Sequence, residues 1–371
     1  MDPMHELVIT GVGAIGPFGT SSDSLWDAVR ASNSAVSHDA EADYTEERVK
    51  GFDVSDHFKS RRADRAPLIT QFAITAVSEA IKGADLPLKS INKDRVSIVY
   101  GTGNGPEDII DRNLSLIYDS GLGAVEPLGF QESVFNAPAS LISIEYGFRG
   151  PLLALPMGWA AGGNALCAAA DLVASGMADM SIAVASDICG DLCRGVYKKL
   201  QFISPNDGKT AGIRPFDIRA NGSFLSEGGA AIVIETKEAA LARSANILAE
   251  LKGWANTNDA MGIVPRRGNS KGISNAMFGA DPTGLGSDAI LMGSYCTKDA
   301  ETAEAKAVHR YAADRNLPTV TNIRGAVGEA KGVTGLWNVI TAVNILQIGN
   351  VPYPIGGNVP LFVETRLSGA A

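Results

Sequence analysis

The clearest address for chemistry in this chain is the start of a small-residue helix. Residues 151–186 read as a short strand, a tight turn at Gly158-Trp159, a helix over about residues 160–175, and an apolar strand over residues 180–185. The helix is rich in Ala and Gly, so it can lie deep against other backbone. Its first N–H groups lack intrahelical partners and carry partial positive charge. A thiolate or alkoxide placed there would be stabilised, which suits covalent catalysis. The residue at that address is Trp159, and an indole cannot act as the nucleophile.

Other residue patterns point to chemistry less directly. Gly11-Val-Gly-Ala-Ile-Gly16 matches the glycine pattern of dinucleotide-binding turns. Its surroundings argue against that use. Pro17 and Gly19 interrupt the helix that should open there, and Ser21–Ser24 read as the cap of a later helix over residues 23–31. The acidic residue expected about 20 positions on would fall in the polar stretch of residues 34–47. Cys189 and Cys193 are one helical turn apart, but no second ligand pair accompanies them, so no metal site is expected. Cys167 reads as a small core residue. His5, His38, His57 and His309 read as surface or satisfied side chains.

The elements that must position these groups follow from periodicity. Strands are expected at residues 7–11, 95–101, 229–235, 248–254, 289–292 and 319–323. Helices are expected at 64–82, 106–120, 136–146, 301–313 and 332–348, and a loop at 271–285. Strand and helix alternate throughout, so the fold class is α/β with parallel sheets between helices. The helix at 332–348 resembles the one after Trp159, since each follows a strand and opens on glycine. Two similar halves are expected.

The 371 residues suffice for a substantial core. A net charge of −9 gives no reason to expect nucleic acid or an anionic membrane as partner. Four scattered cysteines fit a reducing cytoplasm rather than a disulfide framework. The first residues lack a signal-peptide pattern, and no apolar run reaches the ~18–20 residues of a membrane span.

Val8-Ile-Thr-Gly-Val-Gly-Ala-Ile-Gly-Pro-Phe-Gly19, Arg61-Arg-Ala-Asp-Arg65, Gly101-Thr-Gly103, Gly150-Pro151, Arg214-Pro-Phe-Asp217 and Asn221-Gly-Ser-Phe-Leu-Ser-Glu-Gly-Gly229 stand in one order and spacing. Jointly they resemble the elongating β-ketoacyl-ACP synthases, over residues 7 to 357. The resemblance implies the thiolase fold, a five-layered α-β-α-β-α sandwich of two halves, here 1–240 and 241–371, the second short at its C-terminus. It implies no cofactor.

The family's chemistry uses one Cys and two His. Carried over by motif, the Cys position is Trp159. The first His position is Gly293, in Met292-Gly-Ser-Tyr-Cys-Thr297. The second is Glu329, in Gly328-Glu-Ala-Lys-Gly332, and the family's Lys is matched by Arg324. The Gly-Phe-Gly-Gly loop near the family's C-terminus has no counterpart. Condensation by this chain is therefore not expected. Trp159 reads as a plug, or more plainly as an indole filling the space beside a vanished substrate channel, and Glu329 as paired with Arg324 or Lys331 because a lone buried carboxylate is costly.

A member without the catalytic residues resembles the chain-length factor, or KSβ subunit, of type II polyketide synthases. That resemblance implies a Cys-containing ketosynthase partner and an acyl carrier protein. It also implies a role in bounding the partner's acyl tunnel. Gln is usual at the position of Trp159 in that subtype, so Gln-type decarboxylation is not implied. Tunnel residues would be Ile109, Ile110, Leu114, Ile117, Phe130 and Phe135; the plain alternative for them is core packing. The strand at 180–186 would pair across the dimer. Lys59, Arg61, Arg62, Arg65, Arg194, Lys198 and Lys199 would face the carrier protein, or solvent. Two other readings stand beside this one. One is an acyl-thioester enzyme working through Cys296 or Glu329. The other is a pure scaffold.

Overall fold

The computed structural model describes residues 6–31, 46–205, 212–260, 270–281, 283–293, 296–313 and 317–348. His5, His38, most of the polar stretch at 34–47, part of the motif around Gly293 and the segment beyond residue 348 lie outside these. The elements run β1 (Leu7–Ile15), α1 (Ser22–Ala31), α2 (Leu68–Gly83), β2 (Val96–Thr102), α3 (Glu107–Ser120), α4 (Ala137–Tyr146), β3 (Leu152–Pro156), α5 (Ala161–Ala174), β4 (Met180–Asp187), α6 (Asp191–Lys199), β5 (Gly228–Thr236), β6 (Ala249–Leu251), α7 (Lys271–Ala280), β7 (Ala289–Leu291), α8 (Lys298–Tyr311), β8 (Thr319–Thr321) and α9 (Gly332–Ile348).

Six strands form one sheet in the order β3-β2-β4-β5-β1-β6. β3 and β4 flank β2 in parallel, and β5 runs antiparallel to both β4 and β1. The strands are apolar on both faces, as a sheet covered on both sides requires. Ile98, Tyr100, Ile182, Val184 and Val233 face one core, shared with α2 and α4. Val99, Ala183, Ala185, Ile232 and Ile234 face the other, shared with α5 and α9. The same period-2 alternation appears in β7. Ala289 and Leu291 turn to the α5–α9 core, while Ile290 and Met292 turn to α7 and α8. The layers are therefore α2/α4, the large sheet, α5/α9, the parallel β7–β8 pair and α7/α8. This is the five-layered, thiolase-like α/β sandwich expected.

The glycine pattern at residues 11–16 has a packing role. β1 runs straight through it, and a Cβ on Gly11 or Gly13 would collide with the carbonyls of Ala80 and Ala76 in α2. The glycines let strand and helix approach closely; they form no phosphate-binding turn.

Three local expectations are corrected. The segment at 271–285 is not all loop, because α7 occupies its first part. Ile273 and Met277 are buried there, each gaining about 1.5–3 kcal/mol, which outweighs about 1 kcal/mol for each of Gly272 and Gly279. The helix expected from residue 64 begins at Leu68, after a separate 3-10 turn at Ala63–Arg65 that ends with Ala66 extended before Pro67. The strand expected to pair across a dimer, β4, is interior. It is bonded to β2 on one side and β5 on the other, so no edge remains. The edge strand at that end of the sheet is β3.

Candidate functional site

β3 ends at Pro156, and the chain turns through Gly158 at φ +60° and a short 3-10 turn, Gly158–Ala160, into α5. The first turns of α5 lie in the middle of the molecule. A Cβ on Gly162 would strike the carbonyl of Gly332 in α9, so only glycine permits this approach. Trp159 stands at the head of this helix. Its ring stacks on Tyr197 at 5.3 Å between centroids, and Phe202 meets it edge-on at 5.4 Å. Tyr197 comes from α6, a helix that the sequence reading passed over. Its signal was present, because Cys193 and Tyr197 at i and i+4 face inward while Lys198 and Lys199 are exposed.

The other wall carries the two positions matched to histidines. Glu329 is 2% exposed. Its Oε2 accepts from Arg324 Nε, and its Oε1 accepts from Thr334 Oγ1 at 3.1 Å. Its backbone is clamped too, since its N–H donates to the Phe224 carbonyl at 2.8 Å and its carbonyl accepts from Ser226 N at 3.0 Å. Of the two expected partners, Arg324 is the one used. The Gly293 N–H donates to Glu304 Oε1 at 2.5 Å. A glycine and a bonded carboxylate cannot supply what two imidazoles would.

Lys331 points away from Glu329. Its Nζ donates to the Ile188 carbonyl at 2.7 Å and lies 3.4 Å from Glu107 Oε1. Asp187, fully buried, accepts from Gly103 N, Asn104 N, Thr102 Oγ1 and Gly332 N at 2.8–3.2 Å. Burial pushes its carboxyl up, and Lys331 with the Gly103, Asn104 and Thr102 donors pulls against that. Burial opposes the Lys331 ammonium, but Asp187, Cys193, Glu107 and Tyr197 together hold it above its ordinary value. Burial raises the Cys193 thiol to about 11.

Cys296 is fully buried, and burial pushes its thiol far above the ordinary range; it is no thiolate nucleophile. His57 stacks on Phe52, and His309 is exposed on α8. Among the described residues no group of three or more His, Cys, Asp or Glu could hold a metal, and no helix is long and apolar enough to cross a membrane.

Close by, Glu301 accepts from Phe216 N at 2.7 Å, and burial raises its carboxyl from 4.5 to about 7. The folded chain thus binds this proton more tightly than the unfolded chain does. The favourable effect is complete below about pH 4.5 and is lost as pH rises through about 7. Glu301→Gln, which keeps the acceptor, is expected to flatten that decline in unfolding experiments between pH 5 and 8. An unchanged slope would sink the assignment.

The candidate tunnel residues divide. Ile109 is buried and Ile110 and Ile117 are half-buried, whereas Leu114, Phe130 and Phe135 are 59%, 67% and 38% exposed. Core packing does not account for the last three. Leu116 and Leu128, not foreseen, are exposed beside them. A cleft of about 650 Å³ brings Ile109, Asn113, Leu116 and Leu128 together with Arg65 and Arg112 and with the carboxylates of Asp108, Glu126 and Glu132. Arg61 and Arg62 are exposed next to Arg65, and Arg62 bonds Glu145 at 3.1 Å. Lys59 is exposed, and Arg194 pairs with Asp191. Lys198 lines a different cleft, of about 490 Å³, with Gln201, Asn221 and Lys298. Lys199 is exposed on the same turn. The two basic groups therefore border separate clefts.

Residues 4–240 match the family described as Beta-ketoacyl synthase, N-terminal domain. A 3-oxoacyl-[acyl-carrier-protein] synthase 2 of Staphylococcus aureus (strain COL) is 29% identical over 293 residues, covering 77% of this chain and 71% of that protein. Among solved structures, the ishigamide ketosynthase/chain length factor superposes with a TM-score of 0.85 at 22% identity, over 99% of this chain and 94% of that one. A type II PKS acyl-carrier protein in complex with its ketosynthase bound to the hexaketide gives 0.82 at 20% identity, over 93% and 87%.

Proposed function

The chain belongs to the β-ketoacyl synthase family, and from that premise we propose that it is a non-catalytic, chain-length-factor-like subunit. In this reading it pairs with a Cys-containing ketosynthase and shapes the tunnel for an acyl or polyketide chain. The observation that carries the reading is Trp159 at the head of α5, wedged against Tyr197 and Phe202. The head of α5, where the fold would activate a nucleophile, holds an indole, and the positions matched to the two histidines hold Gly293 and a paired Glu329.

The partner's place is argued from exposure. β3 is an edge strand whose Leu152 and Leu153 are 37% and 39% exposed. Leu114, Phe130 and Phe135 add apolar surface. An edge strand with exposed apolar side chains calls for a partner. A structural neighbour whose name joins a ketosynthase to a chain length factor supports the choice, and one described in complex with its acyl-carrier protein supports a carrier partner. Arg61, Arg62 and Arg65 supply positive charge suited to an acidic carrier protein. Cys296 has no exposed surface, and no observation favours chemistry through it.

The isolated chain is expected to release no CO₂ from malonyl-carrier protein and to condense nothing. Trp159→Cys is expected to stay equally inactive, because a thiol at that position still lacks both imidazoles. Turnover by the isolated wild-type chain, abolished by Cys296→Ala or Glu329→Gln, would instead establish an enzyme. Co-purification with a ketosynthase, and a product length that depends on this chain, are the positive results.

A further inference from the structure

We propose that Lys331 is a positioning residue that holds the start of α3 in place and so sets how far an acyl chain can extend beside that helix; this rests on the reading of the chain as a length-determining subunit. Lys331 stands two residues past Glu329, inside the motif where a histidine is missing. It is 1% exposed, and its backbone has φ +54°, a left-handed conformation unusual for a side-chain-bearing residue. An ammonium is buried under such constraint only where anions compensate it.

The two carboxylates around it have different duties. Asp187 is satisfied by its own four donors. Glu107 is the first residue of α3. It accepts from Gly190 N at 3.0 Å and Cys193 N at 3.1 Å, which ties α3 to the N-terminus of α6. Lys331 Nζ lies 3.4 Å from that carboxylate, bonds the Ile188 carbonyl just before α6, and lies 3.5 Å from Cys193 Sγ. One cation thus joins α3, the end of β4, α6 and the start of α9.

The link matters because α3 is otherwise held weakly. Only Glu107, Ile109 and Asn113 of its residues are buried. The same helix presents Ile109, Asn113 and Leu116 to the 650 Å³ cleft. A shift of its first turn therefore moves the wall of the cleft. Misplacement of a binding wall by about 1 Å can change a rate by about 100-fold. The cluster also backs the aromatic wedge, since Cys193 and Tyr197 share α6.

The test uses the complex of this chain with its ketosynthase, supplied with malonyl-carrier protein, and reads the distribution of product lengths. Lys331→Met leaves Glu107 uncompensated and risks misfolding. Lys331→Met/Glu107→Gln removes the cation together with the Glu107 charge, keeps one of the two acceptors for α6, and leaves Asp187 held by its four donors. The double variant is expected to form the complex and to lower the main product about tenfold relative to products one or more two-carbon units away. A purely structural Lys331 would lower melting temperature and total product together with the distribution unchanged, and that result overturns the proposal. Failure of the wild-type chain to associate with a ketosynthase, or to alter its product lengths, overturns the functional reading itself and is seen before any variant is compared.

Discussion

Arg324→Met is expected to destabilise the fold by about 3–5 kcal/mol, read as a fall in the denaturant midpoint at constant slope. The Glu329 carboxylate is 2% exposed and Arg324 is 4% exposed. Thr334 Oγ1 would remain as a donor to Glu329, but one hydroxyl does not replace a guanidinium. Removing the cation strands a charge in low dielectric. Most domains have only about 5–15 kcal/mol in total, so much of the stability would go. Arg324→Met/Glu329→Leu removes both charges and is expected to recover most of the loss, because well-packed apolar replacements of buried pairs are often neutral or stabilising. A single variant within about 1 kcal/mol of wild type would show that the pair is not the anchor of this wall. The pair also explains why Glu329 is a poor candidate for acid–base work: both of its oxygens are already bonded.

Leu114→Asp/Leu153→Asp is expected to weaken association with the ketosynthase by at least about 100-fold, roughly 3 kcal/mol, by charging exposed apolar side chains that the proposed partner would cover. Both side chains are exposed in the isolated chain, at 59% and 39%. The melting temperature of the isolated chain should therefore change little, which separates a binding defect from a folding defect. Co-purification and the concentration dependence of the complex measure the effect. Binding retained within about threefold would move the partner off this face. A wild-type homodimer disrupted by the same pair would place a second copy there instead.

Much of the frame was readable from residue order. The alternation of strand and helix predicted an α/β fold with parallel sheets, the five layers came from the resemblance, and α9 was placed at residues 332–348 as it stands. The large sheet is mixed instead of parallel, because β5 runs against both β4 and β1. The alternation and the place of α9 depend on local periodicity, which a chain carries wherever its partners lie. The helix Lys271–Ala280 escaped because its glycines and small residues have weak propensity, and only packing of Ile273 and Met277 makes it helical. The strand at 180–186, which the resemblance assigned to the dimer, is interior; its apolar residues would suit an interior or an edge strand equally, and the sheet order decides which has a free side.

The positions matched to the family's Cys and His show the same division. The resemblance matched Trp159, Gly293 and Glu329 to the family's Cys and two His, and side-chain composition then says that an indole, a bare backbone and a carboxylate supply no thiol or imidazole. Which group each residue meets was decided by topology. Glu329 finds Arg324 five residues away, whereas Lys331, two residues further on, turns to Glu107, 224 positions distant in the chain. Trp159 meets Tyr197 and Phe202 only because α6 folds back over the head of α5. Side-chain chemistry is local and is written in the order of residues. Burial and pairing belong to the packed molecule, where neighbours are set by how distant segments close on one another.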